Sequence, residues 1–417
     1  MTDLAEWQAR ARDWLRSHAR PRDGGAEAAA GGAPGRGPAA AGLGSVAVFD
    51  NLTFEQEQEQ LAAAAAWQRV KLAAGYGAIT WPAEHGGAGL PAAYEDAFSR
   101  EEAQFAVPRQ NELFSVTLGL VAPTIAAFGT PAQQRELIPR LLAAELFVCQ
   151  LFSEPGAGSD LASLSLRAER QGDDWLLNGQ KVWTSGARHA ALGELIARTD
   201  PGQARHRGLT AFLVPMDAPG VEIRPIRQMS GGSSFNEVFF TDVVVPDGAR
   251  LGDVGQGWAV AMTTLGFERA ASGAGPQQPG GSYDQVAATA RQLGVQGEPL
   301  VRQMLADLYV RSEVQRRYGE KMGQAAASGT GTPGEEGSVL KLMWSANLMR
   351  TSAAVTELLG PRLVADTGEP GTFAWSEHLL GAPGYRIAGG TEEIQRNIIA
   401  ERVLGLPREP RPPAGAS

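Results

Sequence analysis

One cysteine, Cys149, stands in 417 residues. No intrachain disulfide can form, so a reducing compartment is the expected setting. Histidines are few, at positions 18, 85, 189, 206 and 378. None falls with Cys, Asp or Glu at metal-ligand spacing, and no G-x-S-x-G nucleophile elbow occurs. Metal-dependent and hydrolytic readings therefore start low. No run of Lys or Arg interrupts a formal net charge of −9, which argues against nucleic acid or an anionic membrane surface as the main partner. A long apolar run is missing too. Leu113–Gln134 is uncharged, but Ser115, Thr117, Gly119, Pro123, Thr124 and Gly129 interrupt it. Two buried helical pieces meeting near Pro123 are expected there, not a membrane span. The opening MTDLAEWQAR carries charge where a signal peptide needs an apolar run, so a cytoplasmic location is expected.

What is present fits a folded globular chain of two or three domains, 43% hydrophobic and 20% charged. Residues 1–148 read as a mostly helical domain. Within it, residues 20–45 form a Gly/Ala/Pro-rich tract that buries little apolar area per ordered residue and reads as a flexible loop. Thr130-Pro131 is a clean helix start, an N-cap hydroxyl followed by proline at the first helical position. The pattern then changes. Short β-type runs separated by turn residues occupy 149–250, with no helical segments between them, so an antiparallel β domain is expected rather than a doubly wound parallel sheet. Residues 251–408 return to helical periodicity, and 409–417 form a tail. The fold class is α+β multidomain: an N-terminal helical domain, a middle antiparallel β domain and a C-terminal four-helix-bundle domain.

Two stretches concentrate small and polar residues. Cys149–Asp160, CQLFSEPGAGSD, runs from an apolar strand into a tight turn whose glycines let backbone N–H groups approach a ligand. Asn178–Gly186, NGQKVWTSG, opens on the turn pair Asn178-Gly179 and sets a Trp beside hydroxyls, suited to covering a flat ring and bonding its polar edge. Together with Gly390-Thr391-Glu392-Glu393-Ile394-Gln395-Arg396, these stretches resemble the three signatures of the acyl-CoA dehydrogenase family, in the same order and in the same α, β and α segments. The resemblance covers nearly the whole chain.

It implies bound FAD, a coenzyme A thioester as substrate, an electron-transfer flavoprotein as acceptor and a homo- or hetero-oligomer, dimer or tetramer. It also implies that Trp183 lies over the isoalloxazine ring, that Ser153 and Ser185 bond its edges, and that the backbone around Gln150 and Phe152 lines it. Ser159 is implied near the pantetheine or diphosphate, Arg269 near the substrate, and Thr391 and Glu393 near the cofactor. Arg291 and the stretch Thr356–Gly360 are candidates for more distant flavin contacts.

Removing the weakly acidic α proton of a thioester needs a desolvated carboxylate. Much of the family carries it directly before the Gly-Thr of the last signature. Here that position is Gly389. A second family arrangement places the Glu on the first C-terminal helix, before an Arg, and Glu268-Arg269 occupies that place on an otherwise apolar helix. The base is therefore expected to be Glu268, with the Gly389 N–H polarising the thioester carbonyl. The missing side chain at 389 suggests room for a bulky or α-branched acyl group. A non-catalytic partner subunit and a flavin oxygenase or oxidase are the alternatives on the same scaffold.

Overall fold

A computed structural model describes residues 3–22, 45–203, 205–271, 279–327, 336–365 and 372–408. The first helical region contains α1 (Leu4–His18), α2 (Phe54–Ala73), α3 (Ala92–Glu102), α4 (Glu112–Phe114), α5 (Ala122–Phe128) and α6 (Pro131–Leu142). Trp7, Ala11 and Leu15 make the buried stripe of α1. The caps follow the sequence. Thr53 and Gln56, then Thr130 and Gln133, close reciprocal capping boxes at α2 and α6. The uncharged stretch from Leu113 does not break near Pro123: a π-helical segment, Ser115–Val121, runs straight from α4 into α5, with Pro123 in the first turn of α5, and the helix ends at Gly129. No described helix is long and apolar enough to cross a membrane.

The strands are β1 (Arg20–Pro21), β2 (Phe105–Ala106), β3 (Val148–Leu151), β4 (Arg167–Gln171), β5 (Asp174–Ser185), β6 (Leu192–Arg198), β7 (Leu209–Pro215), β8 (Val221–Ile226), β9 (Phe235–Pro246) and β10 (Arg250–Leu251). Strands β1 and β2 form a small antiparallel pair, so Arg20 and Pro21 are ordered and do not belong to a loop. The rest of the Gly/Ala/Pro-rich tract up to residue 44 lies outside the described residues, as does the tail from 409. The other strands build one eight-stranded sheet in the order β10-β7-β6-β4-β5-β9-β8, with β3 beside β6.

That sheet is mostly antiparallel, with one departure from expectation: β3 and β4 both run parallel to β6. A parallel neighbour needs a long crossover. Here β3 lies against Leu192–Leu195 of β6 and β4 meets β6 at Arg198, and the chain reaches β6 from both of them through β5, with no long helix between.

The pair Asn178-Gly179 is not a turn. It lies inside β5, and the β4–β5 turn falls at Gly172-Asp173 instead. Gly179 has φ +147°, and a Cβ there would sit 2.8 Å from Leu166 Cα. Glycine is needed for close packing between strands, not for chain reversal.

The second helical region contains α7 (Gly257–Ala271), α8 (Tyr283–Gln292), α9 (Pro299–Ala327), α10 (Gly337–Leu359), α11 (Thr372–Gly381) and α12 (Glu392–Ile398). Val286, Met304, Val355 and Trp375 share its core. Helix α7 packs on the sheet through Val260 and Ala261, which join Leu209, Ala211 and Leu251 in a second core. This packing carries the C-terminal part of α7 to the end of β3.

Candidate active site

Strand β3 leads from the core into the turn Ser153–Asp160, closed by backbone hydrogen bonds between Glu154 and Ala157. This turn and β5 are fastened together by one buried ion pair. Lys181 Nζ donates to Glu154 Oε1 and to the Phe152 carbonyl, each at 2.9 Å. Glu154 also accepts from the Ser165 and Leu166 N–H groups and from the Ser165 hydroxyl. Burial pulls the Lys181 pKa down to about 8, against the attraction of Glu154. Burial alone would raise the Glu154 pKa. The Lys181 charge and the donated N–H bonds outweigh it and hold the carboxyl below its ordinary range. Two residues of the expected cofactor signatures therefore act as a structural clasp.

The clasp ends where β5 bulges. The β5–β9 register shifts between Lys181 and Thr184, and Trp183 within the bulge has φ +64°. Its indole is 60% exposed although its neighbours Val182 and Thr184 are buried. A bulge re-aims a side chain, and a left-handed backbone at an aromatic residue stores on the order of 1–2 kcal/mol. Here the strain turns a large flat ring outward. Trp183 meets Phe235 edge-on at 6.3 Å. The aromatic wall continues from Phe235 to Phe49, Tyr385 and Trp344 at centroid distances of 5.2, 5.1 and 4.4 Å.

Glu268 lies on α7 facing Gly389. A Cβ built on Gly389, whose φ is +66°, would sit 3.0 Å from Glu268 Oε1. The carboxylate of one helix thus occupies the space into which a side chain at position 389 would project. Glu268 keeps part of its surface open to the cleft, yet protein surrounds it closely enough that desolvation raises its pKa to about 7. The charge of Glu112 pushes in the same direction. Arg269, a hydrogen bond from Gln150 and the Lys341 charge oppose it.

Glu268 is located from below by the sheet. Gln150 on β3 pairs in register with Glu194 on β6. Gln150 bonds Glu268, while Thr264, one helical turn earlier, donates to Glu194 Oε1 at 2.7 Å. Glu194 is fully buried, and desolvation lifts its pKa to about 8 despite the Thr264 bond.

The Gly389-Gly390 turn is held by its carbonyls. Gln395 Nε2 donates to the Gly389 carbonyl at 2.8 Å and to that of Gly390 at 3.2 Å. Lys341 Nζ donates to the Gly390 carbonyl at 2.7 Å. Among the described residues, no acceptor takes the Gly389 N–H.

Of the other expected site residues, Ser185 bonds Glu112 and Ser153 is half-buried in the turn. Ser159 is exposed at the far end of that turn, beside the Asp160–Arg205 pair. The Phe152 side chain is buried in the core. Thr391 caps α12, accepting from the Ile394 N–H at 3.3 Å. Glu393 is exposed, whereas its neighbour Glu392 is buried and paired with Arg386 at 3.0 Å. Arg291 bonds the Ala287 carbonyl within its own helix.

Three residues were not singled out by sequence. Glu112, at the start of α4, is open to the cleft, and desolvation raises its pKa against the Ser185 hydrogen bond. Tyr385 is pushed well above its ordinary value by burial and by the fields of Glu112, Glu268 and Asp50. Lys341 is buried in α10. Its signal was present: it is the only charge in the apolar run Ser338–Met349. Among the described residues, no group of His, Cys, Asp and Glu could hold a metal ion.

Comparison with known proteins gives the family. Family models match the acyl-CoA dehydrogenase N-terminal domain over residues 50–145, the middle domain over 149–243 and the C-terminal domain over 255–404. The chain is similar to the acyl-CoA dehydrogenase IpdE1 of Mycobacterium tuberculosis, 38% identical over 98% of this chain and 99% of that one. Among solved structures it is similar to a "Tcur3481-Tcur3483 steroid ACAD", with a TM-score of 0.74 and 26% identity over 97% of this chain and 98% of that one. It is also similar to the ChsE4-ChsE5 complex of Mycobacterium tuberculosis, with a TM-score of 0.71 and 26% identity over 98% and 99% of the two chains. The chain is an oxidoreductase of the acyl-CoA dehydrogenase family.

Proposed function

We propose that this chain is an FAD-dependent dehydrogenase that desaturates the α,β bond of an acyl-CoA thioester carrying a bulky or branched acyl group. The observation that carries this reading is the 3.0 Å approach of Glu268 Oε1 to the space beside Gly389. A carboxylate there, desolvated to a pKa near 7, is matched to taking a weakly acidic α proton near neutral pH. The Gly389 N–H, with no acceptor among the described residues, is available to donate to the thioester carbonyl oxygen as negative charge builds.

The residues fit FAD. The indole on the strained bulge is 60% exposed and meets Phe235 edge-on, with Ser185 two residues along β5 and the Ser153 carbonyl bonded to the Val182 N–H. When bound, FAD supplies the hydride acceptor. Trp183 covers the ring, the Ser153–Asp160 turn brings backbone N–H groups close, and the aromatic wall excludes water. Electron-transfer flavoprotein is the proposed onward acceptor. With glycine at position 389, the carboxylate beside the reacting carbon comes from α7 instead of from residue 389 itself, an arrangement that suits a wide acyl group. Likeness to a structure named as a steroid ACAD supports a ring-bearing one.

The test is direct. The chain purified alone should retain yellow flavin that bleaches anaerobically with a branched or ring-bearing acyl-CoA. Much faster bleaching with unbranched medium chains would overturn the bulky-acyl assignment.

A second reading rests on the paired names of two similar structures, Tcur3481-Tcur3483 and ChsE4-ChsE5. The chain would then work beside a homologous partner as a hetero-oligomer. Flavin retention and turnover that require co-expression with a homologue would establish that reading and place the chemistry in the assembled pair.

A further inference from the structure

A lysine ammonium seldom sits inside a helical bundle without a task, because removing it from water is costly. Lys341 is 1% exposed and lies beneath the turn that forms one wall of the cleft. Its Nζ donates to the Gly390 carbonyl at 2.7 Å, while Gln395 takes the Gly389 carbonyl at 2.8 Å. Gly389 and Gly390 both have left-handed backbones, φ +66° and +87°. Two glycines in succession are flexible by themselves. Here each carbonyl is pulled down into the bundle, so the opposite side of the turn is presented to the cleft.

We infer that Lys341 is a positioning residue of the reaction: from the bundle side it fixes the Gly389-Gly390 turn so that the residue-389 amide meets the thioester carbonyl beside Glu268. Its positive charge stands under the same spot where negative charge gathers, on the thioester oxygen and on Glu268. The inference rests on the assignment of Glu268 as base and Gly389 as carbonyl donor. The groups facing Glu268 are Glu112 from α4, Gln150 from β3, Arg269 from its own helix, Lys341 from α10 and Tyr385 from the segment before the turn. Those facing Lys341 are Glu392, Glu268 and Glu393. Removing the Lys341 cation takes away one of the positive charges, with that of Arg269, that offset Glu112 at Glu268. The Glu268 pKa must then rise, and activity that needs ionised Glu268 is lost at a higher pH as the medium is acidified.

The experiment compares Lys341→Met and Lys341→Arg in the FAD-loaded full chain, with its partner subunit if one is required. Lys341→Met should lower kcat on the order of 10- to 100-fold with a smaller change in KM. The acidic limb of its pH–rate profile should move up by a few tenths to about one pH unit. Infrared titration of the Glu268 carboxyl band should show the same displacement without turnover. Lys341→Arg, which keeps the charge, should restore the limb while recovering only part of kcat. An unmoved limb and unmoved carboxyl band in folded Lys341→Met overturn the inference. Undiminished flavin reduction in Glu268→Gln would instead overturn the base assignment, so the two failures are distinguishable.

Discussion

Replacing Glu268 by Gln should destroy activity and stabilise the protein, and the gain should depend on pH. The folded chain holds Glu268 at about 7 against an ordinary 4.5. A carboxyl raised in this way favours the native state most when it is protonated. Its contribution is fully present below pH 4.5 and is lost as pH rises toward 7. That displacement is worth about 3 kcal/mol at ~1.36 kcal/mol per pH unit, trimmed to about 2–3 kcal/mol by the opening toward the cleft. Gln removes the loss without removing the side chain's volume. At pH 8 the variant should melt about 3 °C above the parent, using a typical unfolding entropy for a chain of 417 residues. At pH 4.5 the two should melt together. Flavin reduction by acyl-CoA should fall by about 10²- to 10⁴-fold, the range for loss of a general base, with FAD still bound. Thermal scans at the two pH values and anaerobic stopped-flow absorbance suffice. A stability gain equal at both pH values, or retained flavin reduction, would refute the reasoning.

Gly389→Ala keeps the amide donor but forces a Cβ to 3.0 Å from Glu268 Oε1 at φ +66°. It should cost about 1 kcal/mol of stability and about 100-fold in kcat with little change in KM, measured by melting and steady-state kinetics. Trp183→Gly should relieve the left-handed strain and raise the melting point of the FAD-free chain by the equivalent of up to about 1 kcal/mol, while FAD titration shows weaker binding. Lys181→Met leaves Glu154 buried without its cation. It should destabilise by about 3–5 kcal/mol in denaturant titration and release flavin on dilution.

The order of helices and strands was legible in the sequence because capping residues and β-branched runs are local signals. Thr130-Pro131, for example, announces α6 from two residues. The place of Glu268 was legible through the resemblance, whose second arrangement puts the acid before an Arg on the first C-terminal helix. What escaped detection depended on distant partners. Asn178-Gly179 has the chemistry of a turn, but the closeness of Leu166, set by β4, decides its role. Glu112 and Ser185 are 73 residues apart (185 − 112 = 73), and nothing local couples them. Lys341 is a lone charge in an apolar run, but what it holds is decided by Gly390, which is distant in the chain. The parallel strands β3 and β6 were hidden because the connection between them runs through β4 and β5 and contains no long helix.

The Gln150–Glu194 pairing makes the site a matter of measurement between two rulers. Adjacent strands are spaced by about 4.8 Å, and one turn of helix rises by about 5.4 Å. These near-equal graduations let neighbouring strands address successive turns of α7, with Glu194 reading Thr264 and Gln150 reading Glu268. The depth of Glu268 is thus calibrated by strand alignment. A single-residue insertion in β6, far from any ligand, would put the scales out of step and detune the reaction without altering one residue that touches the substrate.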